Sequence, residues 1–81
     1  MSNVTDELKI ELKNGLASLR TLRDEVRLKL HLASMDVRQQ WKNLEPRLAD
    51  VEKAADDVSH ASRAALTEAI DALKRLRASL H

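Results

Sequence analysis

The sequence predicts an all-α protein, an antiparallel two-helix hairpin of coiled-coil type that dimerises into a four-helix bundle. Three observations predict it. Aromatic residues make up 1% of the 81 positions and charged residues 33%, with leucine and alanine carrying the apolar content; that composition belongs to long exposed helices. Apolar residues recur three and four apart through both halves of the chain, which is one face of a helix. The chain holds a single proline, Pro46, and a single glycine, Gly15, so one break stands out near the middle.

The whole of residues 1–81 reads as one helical domain. Met1 to Val4 reads as a frayed end. Asn3 or Thr5 can cap the first helix, and Asp6 and Glu7 suit its positive end. That helix is expected over about residues 5–43, with Leu8, Leu12, Leu19, Leu22, Val26, Leu30, Ala33, Val37, Trp41 and Leu44 on its apolar face. Gly15 lies on the same face and costs about 1 kcal/mol against alanine there; close approach near Leu76, or a tolerated weak spot, would account for it.

The turn is expected at about residues 43–46. Asn43 is suited to a left-handed helix end. Pro46 has no N–H and is costly inside a helix, but it fits the first turn of a new one. The second helix is then expected over about residues 46–79, its face formed by Leu48, Val51, Ala55, Val58, Ala65, Ala69, Leu73, Leu76 and Leu80. Asp56, Asp57 and Ser59 are mediocre helix formers, so its first half reads as the softer part. Folding at Pro46 pairs residues whose numbers sum to about 91–92, such as Val26 with Ala65 and Leu22 with Ala69, large against small. The rival is one long helix, kinked at Pro46, paired with a second copy.

A second apolar row, Leu28, Leu32 and Met35, lies beside the main stripe of the first helix, and Leu66 and Ile70 widen the second. A hairpin partner cannot cover both rows. These five residues are the expected interface between two copies. A two-helix hairpin has a seam and no core, and a chain of this size hides only about 60% of its unfolded surface, so self-association is also expected on grounds of stability.

Candidate chemistry is sparse. There is no cysteine, so disulfide and thiol chemistry are excluded. No glycine-rich loop is present to cradle a phosphate. His31 and His60 would lie nearly level in the hairpin, with Asp57 nearby, but no Glu-x-x-His set accompanies them and they fall off the apolar stripe. They and His81 read as solvated surface histidines, not metal ligands. The expected function is therefore non-enzymatic, without catalytic, cofactor-binding or metal residues.

No apolar run approaches the ~20 residues of a membrane span. No basic region followed by an apolar block opens the chain, and residence in the cytoplasm is expected. The net charge is +1, too small to imply nucleic acid. Its distribution is uneven: residues 20–47 hold seven Lys/Arg against four Asp/Glu, residues 48–71 two against six, and residues 72–81 three against none.

The run Gln40-Trp41-Lys42-Asn43-Leu44, followed by an alanine-rich heptad stretch beginning Val51-Glu52-Lys53-Ala54-Ala55, resembles small bacterial helical coiled-coil proteins, some described as stress-response or apolipoprotein-like. The resemblance spans residues 19–80. It implies a helical fold and carries no functional residues across, and Pro46 departs from the continuous helix it suggests.

The expected function is a structural or protein-interaction module that works through helical self-association, as a homodimer or with another protein partner. The alternative is a binder of nucleic acid or anionic surfaces through basic helix faces, including Lys74, Arg75 and Arg77. Interleaved acids and the lack of stacking aromatics count against nucleic acid, and the small alanine face counts against lipid.

Overall fold

The main apolar stripe of each helix repeats at the coiled-coil spacing of alternating four and three, and these stripes meet in one shared seam. The computed structural model describes residues 3–80. It is all-helical, with three helices and a short 3-10 turn: α1 Asn3–Lys29, the turn Leu30–Leu32, α2 Met35–Ala54 and α3 His60–Ala78. Leu8, Leu12, Leu19, Leu22 and Val26 of α1 meet Val37, Trp41 and Leu48 of α2 and Leu66, Ala69, Leu73 and Leu76 of α3 in one buried cluster.

The helices run up, down and up. Glu11 pairs with Arg63 at 2.8 Å and Glu25 with Arg77 at 3.3 Å, so α3 climbs beside α1 in the same direction. Arg23 pairs with Glu52 and Arg27 with Glu45, so α2 descends against α1. The result is a rod of 50 × 18 × 14 Å.

Three helices replace the two expected, and both ends of the proposed turn move. Asn43 and Pro46, expected to form the turn, lie inside α2. The apolar stripe explains why. Val37, Trp41, Leu44, Leu48, Val51 and Ala55 keep the four-three alternation through Pro46 without a slip. Ending the helix there would strand one half of that stripe. Lys42 and Pro46 are both exposed, so the carbonyl that Pro46 leaves without a donor lies on the outer face, where water can reach it. The helix interior still carries a proline cost of about 3 kcal/mol, which burial of Trp41 and Leu48 offsets.

The chain turns instead at two serine caps. Ser34 sits in extended backbone and its hydroxyl accepts from the Val37 N–H at 3.3 Å. Ser59 does the same for the Ser62 N–H at 3.1 Å. Such caps satisfy N–H groups that a helix start leaves without a partner. Between α2 and α3, Asp56 and Asp57 occupy the connection; the weak helix formers of the expected second helix thus mark its interruption. The buried Ser62 hydroxyl donates to the Ala54 carbonyl at 2.8 Å and ties the start of α3 to the end of α2.

The large-against-small pairing expected between the halves is replaced as well. Because α1 and α3 are parallel, their facing residues keep a constant difference, 52 for Glu25 and Arg77, in place of a constant sum. Gly15 marks a close approach, but to Leu66, not Leu76. A Cβ built on Gly15 would stand 2.5 Å from Leu66 Cδ2 and 3.2 Å from its Cγ.

Two outcomes follow for stability. Pro46→Ala should restore a hydrogen bond on the outer face of α2 and raise the unfolding free energy by ~1–3 kcal/mol, seen as a clear rise in Tm. An unchanged Tm would mean that α2 does not run through residue 46. Gly15→Ala should lose stability by about 1–3 kcal/mol through overpacking, despite alanine's better helix propensity. In a Leu66→Val background, where the obstructing methyl is gone, the same substitution should become neutral or stabilising. Additive behaviour in that double-mutant cycle would place the two residues out of contact.

Candidate docking surfaces

Where α1 gives way to α2, the backbone forces apolar side chains to alternate between core and solvent. Leu30 and Ala33 pack against the core and Val37 is buried. Leu28, Leu32 and Met35 point away from it and are 74%, 75% and 77% exposed. The corner is held in this shape from inside the chain. Ala33 N–H donates to the Leu30 carbonyl at 3.0 Å. The Arg38 guanidinium donates to the Leu30 carbonyl at 3.2 Å and to the His31 carbonyl at 2.9 Å. Arg38 thus adds a second donor to the Leu30 carbonyl and supplies one to the His31 carbonyl, at a helix end where a cation is well placed.

The five residues expected to form one interface therefore divide. Leu28, Leu32 and Met35 form an exposed corner. Leu66 is buried in the core against Gly15, and Ile70 is half-buried against the same core. The expectation placed Leu66 and Ile70 beside the stripe because it assumed one partner helix; with α1 and α2 both packed on α3, the buried arc of α3 widens to include them. Trp41, the one aromatic residue, is also core.

Two shallow surfaces lie along the helices. Between α2 and α3, Leu44, Ala72 and Leu76 floor a groove edged by Gln40, Asn43, Arg47 and Arg75. It continues past Val51, Ala65 and Ala69, where Asp50, Glu68 and Asp71 line it. Between α1 and α3, Ala17, Ser18, Thr21 and Ile70 line a second surface beside Glu25, Lys74 and Arg77.

The electrostatics of the rod were hidden in the expected hairpin. Parallel α1 and α3 bring residues 20–29 and 72–78 to the same end as the first part of α2. The end made by residues 20–47 and 72–80 carries ten Lys/Arg against four Asp/Glu, and the other described residues carry four against nine. The uneven counts along the chain were visible from the start; only the parallel arrangement adds them into two poles. Arg23 and Glu52, 2.6 Å apart, are 27% and 25% exposed at their side chains. Arg23 also stands 3.8 Å from Asp24, and its Nε has no hydrogen-bond partner.

The histidines do not come together. His31 is in the corner turn and His60 opens α3 at the other end of α2. His81 lies outside the described residues. Among the described residues no group of His, Asp or Glu is arranged to hold a metal ion, and no helix is long and apolar enough to cross a membrane.

No protein-family model matches the chain, and no curated protein or solved structure is similar enough to place it beside a relative.

Exposed and buried leucines should separate cleanly on substitution. Leu32→Ser should change the unfolding free energy by less than about 0.5 kcal/mol. Leu66→Ala should cost about 2–5 kcal/mol. Comparable losses at both sites in urea titrations would mean that the corner is packed and not exposed.

Proposed function

We propose that this protein is a non-enzymatic helical interaction module that docks through the corner formed by Leu28, Leu32 and Met35. The observation that carries the reading is their exposure, about three-quarters each. The three-helix seam supplies a core from one chain, so these side chains are not needed to complete it. Three large apolar side chains exposed within eight residues of one helix connection mark a contact surface. On a phenyl matrix at high sulfate the protein should be retained. The variant Leu28→Ser with Leu32→Ser and Met35→Ser should elute early and melt at the unmodified temperature. Equal retention of the two would sink the reading.

Self-association is a second reading, and the groove between α2 and α3 favours it. Arg47 and Arg75 face each other across that groove, and Asp50 and Asp71 line its continuation. A two-fold axis between the two levels would set the arginines of one copy against the aspartates of the other, which is how a symmetric interface uses one patch twice. With three helices per chain such a dimer has six, not the four expected. Sedimentation equilibrium should show a dimer that Arg47→Glu with Arg75→Glu disperses and that further Asp50→Arg with Asp71→Arg restores. A 9.1 kDa species at every concentration would remove this reading.

A further inference from the structure

From the chemistry around the apolar corner, we infer that its partner is an anionic lipid surface, which the rod meets end-on, inserting Leu28, Leu32 and Met35 among the acyl chains. The inference rests on the reading that the corner is the docking surface.

Shape is the first argument. The corner is the α1–α2 connection, at one end of a rod 50 Å long and 18 by 14 Å across. The grooves along the rod are lined by other residues. A protein partner would need a cavity matched to three protruding side chains. A bilayer opens around them without one.

Charge is the second. The pole that bears the corner has ten Lys/Arg against four Asp/Glu. Lys29, 3.9 Å from Glu25, and Arg38 lie beside the apolar three with Asp36 the one acid among residues 28–38, and Lys42, Lys74 and Arg75 of the same pole make no ion pair among the described residues. Apolar side chains at the tip with cations set just behind them match the order of acyl chain and phosphate headgroup in a bilayer. The opposite pole, with four Lys/Arg against nine Asp/Glu, is repelled by the same surface. That fixes the approach as end-on and not flat, unlike an amphipathic helix lying in the interface.

The same facts weigh against other occupants. Two copies meeting corner to corner would press two positive poles together. Nucleic acid would gain from the cations but would leave the leucines in water, and no exposed aromatic is present for base stacking.

The test is co-sedimentation of the full chain with phosphatidylcholine vesicles, with and without phosphatidylglycerol. Binding is expected only with phosphatidylglycerol present, and it should weaken as salt is raised. Leu28→Ser with Leu32→Ser and Met35→Ser should lower the partition coefficient by about tenfold or more while the circular-dichroism melt stays unchanged. Lys42→Glu with Lys74→Glu, which leaves the leucines intact, should also lower it. Absence of binding to anionic vesicles, or equal binding by the serine variant, overturns the inference. So does release from vesicles by duplex DNA that the serine variant binds equally well, since the pole would then serve nucleic acid. Because retention on a phenyl matrix probes the corner without lipid, vesicle failure with retention intact removes only the lipid partner, and failure of both removes the docking surface.

Discussion

The parallel contact between α1 and α3 is the constraint from which the rest of the molecule follows. Gly15 lets Leu66 approach where any side chain would obstruct it, and Glu11–Arg63 and Glu25–Arg77 clasp the pair on either side of that point. Two parallel helices cannot be joined by a tight turn. The chain must travel back along the rod before α3 can start, and the 20 residues of α2 cover about 30 Å of that return at 1.5 Å each. A return segment is therefore required; the unbroken apolar stripe from Val37 to Ala55 makes it a helix, and Pro46 falls in its middle. The proline is tolerated because burial of Trp41 and Leu48 on either side offsets its cost, and because it faces outward.

What could be read from the residues alone was the class of structure and the identity of most core positions. Leu19, Val26, Leu48 and Leu73, the largest fully enclosed side chains, all sit on the stripes that the spacing defines. The pairing of those stripes was not legible, since a four-three repeat looks the same whether the next helix runs parallel or antiparallel. Pro46 does not decide the boundary: a proline penalty of a few kcal/mol is comparable with what one or two buried side chains contribute. The true boundaries were signalled by Ser34 and Ser59, ordinary capping residues that a proline in mid-chain overshadows. Asp56 and Asp57 were recognised as poor helix formers, yet a weak stretch of helix and a turn have the same composition.

The candidate surfaces were legible to a similar degree. Leu28, Leu32 and Met35 fall off the main stripe at any register, so their exposure did not depend on the topology. Leu66 and Ile70 did depend on it, because a helix packed on two neighbours buries a wider arc than one packed on a single partner. The segregation of charge required the third dimension altogether. Only when residues 72–78 return to the level of residues 20–29 do modest local excesses combine into poles.

Those poles change how the molecule behaves toward its surroundings. The rod is 50 Å long, and at physiological ionic strength electrostatic influence decays over a Debye length of about 8 Å. An object approaching one end does not sense the other. The formal net charge of +1 is then a poor guide, because it averages two regions that are never felt together. In low salt the same molecule has a face for a cation exchanger and another for an anion exchanger, and near its isoelectric point it remains a macroscopic dipole that turns in a field. Neutrality here is a property of the sum and not of any surface the protein presents.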